Sequence, residues 1–328
     1  MPNPTPGSVH VDQLLTNVSV AFVQSSTKFV ADQVFPRVPV DKQSGKIATY
    51  SKQDFLRDEV DKRAPGDAAV SLGYRPSSTS YVADEWAAEH PIDDQVRSNA
   101  DSPFMPERDA TQFLTQKMLI KRERQFATNF LSSGSSLWTG SSDGADLVGG
   151  TDFTQWSNAA ATPIEDIHSK AENVEIQTGF LPNKLVINRT VWHDLKNHPD
   201  IVDRVKHTSD GPVTQDIVAR LCGLDNIHVA SAVHYNAGEG LSTNAGAYIA
   251  SDLALLVYAT NTPSLMQPSG GYTLTWDGLI PGANMGQAVE TYRDESRVSD
   301  VVRVRSAWAQ KRVAPSVGVL FTNVSTRA

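Results

Sequence analysis

Three histidines and three aspartates, His193, His198, His207, Asp194, Asp200 and Asp203, crowd into one stretch, VWHDLKNHPDIVDRVKH. These residue types hold zinc. A zinc site on a single helix needs two histidines four residues apart, so that both imidazoles leave one face. Here the first spacing is five, and Pro199 directly after His198 disturbs a helix running through it. No metal site is expected, and the histidines read as solvated helix ends. Asp93 and Asp94, in PIDD, are the residue types of a paired-carboxylate acid and base. Neighbours on a strand project to opposite faces, so this pair is not expected to converge. Cys222, the single cysteine, follows Leu221 in an apolar helical pattern, which places its thiol in packing rather than in nucleophilic chemistry.

Nucleotide-binding signatures are missing from the sequence, which contains no G-x-G-x-x-G after a strand and no G-x-x-x-x-G-K-[ST]. The one G-x-S-x-G match, GSSDG at 140–144, falls within a Gly/Ser-rich loop rather than at a strand-to-helix turn, so it does not read as a nucleophile elbow. The glycines of NAGEGLSTNAG, 236–246, lie between strands with no following helix and no lysine, and read as a surface loop. No catalytic, cofactor-binding or metal-ligating set is assembled, so an enzyme is not expected.

Composition narrows the remaining classes. The 328 residues are 40% hydrophobic and 20% charged, ordinary for a globular chain with ample core. Against 29 Lys and Arg stand 37 Asp and Glu, a net charge of −8. That argues against a general nucleic-acid binder, which shows a basic face, but it leaves room for a protein that encloses nucleic acid without adhering to it. A lone cysteine excludes an intrachain disulfide and fits a reducing cytosol. The start, MPNPTPGSVHVD, lacks the basic and apolar regions of a signal peptide. The longest apolar run, LALLVYA at 253–259, is far short of the roughly 20 residues that span a bilayer. A soluble protein is expected.

One cluster does ask for a partner. In FLRDEVDKRAPG, 55–66, every residue from Arg57 to Arg63 except Val60 is charged: Arg57, Asp58, Glu59, Asp61, Lys62 and Arg63, three of each sign. Exposed ion pairs contribute only about 0–1 kcal/mol each. Six charges held against complementary ones can instead fix register and exclude wrong dockings.

The elements around the cluster make it a projecting tip. Residues 1 to about 35 begin with prolines and show short apolar patches of no settled period, so they read as an extended arm laid over something else. KIATYSKQDF, 46–55, and TSYVADEWAAEH, 79–90, read as two strands of a long hairpin with a polar turn-rich tip. Ten to twelve residues per strand would reach about 35 Å. Such a hairpin has no continuous apolar face, and an isolated one is marginal in water, so its order must come from a neighbouring molecule. PERDATQFLTQKMLIKRERQFATNFL, 106–131, is the strongest helix, roughly 39 Å long. Pro106 suits its first position, and Glu107 and Asp109 suit its positive end. Phe113, Ile120, Ala127 and Leu131 form one stripe and Leu119, Phe126 and Phe130 another, implying two neighbours.

Beyond the Gly/Ser-rich loop at 132–150 the pattern turns α/β. Thr162 with Glu165 predicts a capping box on the helix that starts at Pro163. Strand KLVIN, helix RTVWHDLKNHPDIVDRVK, helix VTQDIVARLCGL closed by Gly223, and strands NIHVASAVHYN and AYIASDLALLVYA follow. In QAVETYRDESRVSDVVRVRSAWAQKRV, Val298, Val302 and Val304 alternate with Arg297, Arg303 and Arg305. That alternation and VGVLFTNV predict antiparallel strands.

Two long blocks then carry a resemblance: FVADQVFPRVPVDKQSGKIATYSKQDFLRDEVDKRAPG with DEWAAEHPIDDQVRSNADSP and RDATQFLTQKMLIKRE, and PNKLVINRTVWHDLKNHPDIVDRVKHT with VTQDIVARLCGLDNIHVASAV. Their order resembles the major capsid proteins of tailed bacteriophages, whose fold is called HK97-like after phage Hong Kong 97. The resemblance covers most of the chain. It implies an α+β fold with an N-terminal arm, 1–40, and an extended β-hairpin loop, 41–92. A peripheral domain would follow at 93–162 with the long spine helix 106–131, then an α/β axial domain, 163–285, and return strands, 286–328, that complete the peripheral domain. The six charges fall on the intersubunit loop.

The implied function is structural: self-assembly into hexamers and pentamers of an icosahedral shell that encloses double-stranded DNA without sequence-specific binding. The partners implied are further copies of the chain and a portal protein, with scaffolding and decoration proteins left open, and with no cofactor and no membrane. The implied location is the virion capsid, assembled in the bacterial host cytoplasm. Some members begin with a helical scaffolding segment, unlike this Pro-rich start. Some cross-link Lys to Asn; Lys42, Lys46, Lys52 and Lys62 lie in or near the loop without a residue-specific sign of that chemistry. The alternatives are an encapsulin-like compartment of the same fold and an α/β enzyme.

Overall fold

Two five-stranded sheets organise the described residues, beside two smaller two-stranded ones, and neither large sheet is built from one continuous stretch of chain. The computed structural model describes residues 23–100, 104–134, 136–141, 143–206, 212–235, 246–263, 267–279 and 287–327. The expected arm before residue 23, His207 and most of the NAGEGLSTNAG stretch lie outside the described residues. In chain order come α1 (Ala31–Val34), β1 (Arg37–Val40), β2 (Ser44–Tyr50), α2 (Lys52–Leu56), β3 (Pro76–Val82), β4 (Asp84–Asp93), α3 (Asp94–Ser98) and α4 (Pro106–Phe130). Next are β5 (Leu147–Val148), α5 (Pro163–Thr178), β6 (Lys184–Asn188), α6 (Arg189–Asn197), α7 (Pro199–Val205), α8 (Gln215–Leu221) and β7 (Asn226–Ala230). The last are β8 (Val233–Tyr235), β9 (Gly246–Tyr248), β10 (Leu253–Val257), β11 (Gly271–Trp276), β12 (Gln287–Asp294), β13 (Ser299–Arg312) and β14 (Gly318–Thr322).

The first sheet is organised by β13. Ser306 lies opposite Gln287 of β12 and Trp86 of β4, and Trp308 opposite Thr275 of β11 and Asp84 of β4. β12 and β11 therefore follow one another along one edge of β13, with β4 on the other; β1 extends the sheet by pairing parallel to β11. Val302, Val304 and Trp308 share one face, which α4 covers with Ala110, Leu114 and Met118. The expected alternation holds for Val302 and Val304 against Arg303 and Arg305. Val298 and Arg297 instead lie in the β12–β13 turn, where Val298 has φ 49°.

α4 starts and ends as its sequence dictates. Pro106 occupies the first turn with Glu107 and Asp109, and the Trp138 indole donates to Phe130 O at 2.9 Å, satisfying a last-turn carbonyl. Its buried residues are Ala110, Leu114, Met118, Arg122, Glu123, Phe126 and Phe130. Steps of four residues rotate the stripe by about 40° each, so it winds from the first sheet at its start to the second at its end. Phe126, Phe130 and Leu131 are buried as expected. The rest of the two stripes is not, since Phe113 is 39% exposed and Leu119, Ile120 and Ala127 are half-buried.

The second sheet runs β5-β14-β10-β6-β7, and helices cover both faces. Ala254 and Leu256 of β10, Leu185 and Ile187 of β6, and Val319 and Phe321 of β14 pack toward α5–α8. Leu253, Leu255 and Val257, with Val186 and Leu320, pack toward Phe35, Phe126, Phe130 and Trp138. The period of two along each strand assigns these faces. The ring centroids of Phe35 and Phe130 are 4.6 Å apart and those of Phe126 and Phe130 5.2 Å. Each such side chain contributes about 1.5–3 kcal/mol on burial, which makes this cluster the joint between spine helix and second sheet.

Several expectations need correction. The final strand, β14, pairs with β10 and leaves the first sheet, while β11, from within the expected axial segment, joins it; strand pairing crosses the boundaries drawn along the sequence. Residues 29–35 are no loose overlay, because Phe29, Val30, Ala31, Val34 and Phe35 are all buried. Thr162 makes no side-chain cap on α5, since Glu165 turns to Arg204 instead. The helix expected over 189–206 divides at His198–Pro199 into α6 and α7.

Candidate assembly interface

The loop projects because its two strands pair with each other over seven residues and then stop. Ser44↔Val82 through Tyr50↔Pro76 form an antiparallel ladder, about 23 Å long at the usual rise and shorter than the hairpin expected. Ala83 is the reason. It is fully buried, its N–H donates to Gln43 O at 2.7 Å, and the next residue begins β4, which pairs with β13. The single run 79–90 thus serves two sheets. At the base, Tyr81, Ala83, Tyr272, Leu274 and Ala309 form a small core. Gly45 lets the Tyr81 ring lie close against the strand, since an added Cβ would lie 2.8 Å from the Tyr81 hydroxyl and displace the ring.

The far end has no such core. α2 follows β2, and 57–75 contain neither helix nor strand. Tyr50, Phe55 and Tyr74 gather into a ring cluster with centroids 5.8–5.9 Å apart. Phe55 remains 54% and Tyr74 60% exposed, joined by Leu56, Val70 and Leu72 and by Val60 at 78%. The Arg75 N–H donates to Asp54 at 3.1 Å, closing the tip on itself. Lys52 Nζ reaches Gln177 Oε1 at 3.5 Å, and an added Cβ on Gly179 would meet Leu56 at 3.9 Å, so the tip leans on the end of α5. The six charges all lie on this tip, Glu59 half-buried and the other five exposed. Arg57 pairs with Glu59 at 2.9 Å. The apolar content beside them is larger than the sequence reading allowed.

A second charged surface lies on the face of the first sheet opposite α4. Arg303 binds Glu89 at 3.0 Å and the Tyr292 hydroxyl at 2.7 Å. Arg305 binds Glu85 at 2.6 Å and Glu290 at 3.2 Å. At the end of the sheet, on the face that Asp300 shares with Val302 and Val304, Arg293 holds Asp94 through two bonds of 2.7 Å and Asp300 at 3.1 Å, and Arg97 reaches Asp94 and Asp300 as well. Hydrogen bonds from Arg303 and Tyr292 hold the Glu89 carboxyl below its ordinary range, and Arg293 does the same for Asp94. The Arg303 and Arg305 alternation was visible in the sequence. Glu85 and Glu89, four apart on an extended run, were the complementary signal that went unread.

The residues singled out for chemistry are occupied structurally. His198 is buried rather than solvated: Nε2 lies 3.0 Å from Asn158 O, and Nδ1 accepts from Asp200 N at 3.2 Å, capping α7. Asp93 caps α3 through Gln95 N at 2.8 Å while Asp94 opens that helix, so the pair diverges at a helix start rather than along a strand. Cys222 is buried, and burial pushes its thiol up to about 12. Among the described residues no cluster of His, Cys, Asp and Glu has the geometry of a metal site, and no helix is long and apolar enough to cross a membrane.

No protein-family model matches the chain. It is 28% identical over 323 residues to the major capsid protein of Burkholderia phage BcepMu, covering 96% of this chain and 97% of the relative. The fold matches the capsid structure of cyanophage P-SCSP1u with a TM-score of 0.62 at 12% identity, over 95% and 92% of the two chains. The chain thus resembles phage major capsid proteins along nearly its whole length, and its fold is the HK97-like fold of phage capsids. A phage-related protein from Bordetella bronchiseptica superposes on this chain with a TM-score of 0.67 at 22% identity, over 92% and 94% of the chains. An encapsulin from Synechococcus elongatus does so at 0.57 and 11%, over 100% and 98%. The described architecture thus has the parts expected of this fold: a projecting loop, a long spine helix against one sheet, and a second sheet covered by helices.

Proposed function

We propose that this chain assembles into hexamers and pentamers of an icosahedral shell around double-stranded DNA, with the 44–82 loop laid on the neighbouring subunit. The observation that carries this reading is the tip: Phe55, Leu56, Val60 and Tyr74 each leave more than half of their surface open beside six charged side chains. Apolar contact supplies affinity there, and the charges Arg57, Asp58, Glu59, Asp61, Lys62 and Arg63 fix register. In this reading residues 1–40 are the arm, 41–92 the loop and 93–162 the peripheral domain. Residues 163–285 gather as axial domain around each capsomer centre, and 286–328 return to the peripheral domain except where β14 enters the second sheet. Many modest interfaces, each in the range of about 1,200–2,000 Å², allow errors to be corrected before closure, and multivalency then holds the closed shell.

The net charge of −8 suits a lining that does not trap the genome by its phosphates. A portal protein at one vertex and assembly in the bacterial cytoplasm complete the proposal. Electron microscopy of the purified chain tests it: closed icosahedral particles are expected, and a chain that stays monomeric under all assembly conditions overturns it. Likeness to an encapsulin shell supports a second reading, a compartment around a cargo enzyme. Native mass spectrometry separates the two by finding DNA and a portal, or a packed enzyme.

A further inference from the structure

The four-residue helix α1 is too short to be stable alone, yet it is buried and held at both ends by charged side chains from different parts of the fold. At its start, Glu123 of the spine helix α4 accepts from Val30 N at 3.1 Å and from Ala31 N at 2.9 Å, satisfying two of the helix's orphan donors. At its end, Lys184 of β6 donates to Val34 O at 2.8 Å and Gln33 O at 3.3 Å. Its middle is held by Asp32, which accepts from Arg122 at 3.1 Å and pairs with Arg37 at 2.5 Å. Just before it, the Gln24 side chain pairs with both backbone groups of Val233, at 2.7 and 2.9 Å. Residues 24–35 therefore grip the spine helix through one set of bonds and the second sheet through another.

We propose that residues 24–35 are a protonation-sensitive staple between the spine helix and the second sheet, with Glu123 as the group whose ionisation loosens it. Glu123 is 2% exposed. Burial outweighs the bonds it accepts from the two N–H groups of Val30 and Ala31, neighbouring Asp32 adds repulsion, and the carboxyl is pushed up to about 7. The other charged groups at the staple are Lys28, exposed within the segment itself, Arg122 on α4, Arg37 on β1, and Lys184 on β6 with Asp225 acting on it. Burial lowers Arg122 and Lys184 from their ordinary values. His228 on β7 is also lowered, to about 4, by burial and by Lys184; it stays neutral across the range in which Glu123 titrates. When protonated, Glu123 still offers a carbonyl oxygen to the α1 amides and buries no charge. The sign follows: a carboxyl raised above its unfolded value of 4.5 favours the closed state at low pH and loses that contribution as pH climbs through about 7.

Hydrogen exchange of the full chain, read by mass spectrometry on peptides covering 24–36 and corrected for intrinsic rates, tests the staple. Between about pH 5.5 and pH 8 the opening constant of this segment is expected to rise more than tenfold, relative to peptides from β10 and β14. Glu123→Gln keeps the shape and an acceptor oxygen without the charge, and is expected to flatten that rise. Lys184→Met is expected to raise opening at every pH while leaving the slope in place. Should wild type show no slope, or should Glu123→Gln keep the wild-type slope, the staple is not governed by Glu123 and the proposal fails. The wild-type profile alone can overturn it even if a variant folds poorly.

Discussion

Arg293 grips Asp94 with two hydrogen bonds of 2.7 Å, joining the edge strand β12 to the first turn of α3 across the end of β13. The paired geometry matches the two oxygens of a carboxylate, and Asp300 at 3.1 Å completes the anchor. Its contribution is lost on the acid side. Asp94 titrates below its ordinary 3.8 in the folded chain, so its contribution is present above that value and disappears as pH falls through the lowered one. Arg293→Gln is therefore expected to reduce the fall in melting temperature on acidification below about pH 4. Raising salt to about 1 M should shrink the difference between the two proteins. Equal acid slopes at low salt would sink the idea.

Val298 is a β-branched residue with φ 49° in the β12–β13 turn, and 53% of it is exposed. The left-handed conformation costs an L-residue roughly 1–2 kcal/mol, and little packing offsets it here. Val298→Gly is expected to stabilise the subunit by about 1 kcal/mol in urea unfolding. Destabilisation would mean that Val298 has a partner in the folded state.

Close approach of two backbones at the joint makes the opposite prediction at Gly318. A Cβ there would lie 2.5 Å from the fully buried Trp138, and one on the facing Gly140 would lie 2.5 Å from Gly318 O. Gly318→Ala must push the indole off Phe130 O, its hydrogen-bond acceptor. Overpacking of this kind costs about 1–3 kcal/mol, and the bond adds to it. A melting temperature within error of wild type would show that the joint can yield.

The parts legible in the sequence were those fixed by local chemistry. Pro106 with Glu107 and Asp109 marked the start of α4, Gly223 the end of α8, and the apolar runs within KLVIN and LALLV marked strands, which the structure places side by side in the second sheet. What stayed hidden depended on distant partners. The break at Ala83 exists because β13 captures 84–93, and nothing within TSYVADEWAAEH marks it. The stripe on α4 was misplaced because Arg122 and Glu123 read as surface charges; their partners, Asp32 and the amides of Val30 and Ala31, lie some ninety residues away. Glu165 looked like a cap because Arg204 lies beyond the next strand. The six charges of the tip were found from density alone, but their aromatic neighbours were not, since Tyr50, Phe55 and Tyr74 meet only once β2 and β3 pair.

Arg57 and Glu59 supply the sharpest test of the loop, because they already pair with each other at 2.9 Å. Reversing both, Arg57→Glu with Glu59→Arg, keeps an internal pair of the same kind and the same net charge. Folding and melting temperature should stay within error of wild type, since both side chains are at the surface and exposed pairs contribute only about 0–1 kcal/mol. What changes is the order of signs offered to a neighbour. A mismatch of even about 0.5–1 kcal/mol recurs at every subunit boundary of a shell, and multivalency multiplies it. Particle yield by electron microscopy should therefore drop steeply while the unassembled subunit accumulates in folded form. Phe55→Ser provides the apolar counterpart, leaving the charges in place and removing a ring that is 54% exposed. If the charge reversal assembles normally and Phe55→Ser does not, the tip docks through its aromatic cluster alone and the six charges are only a solvated rim.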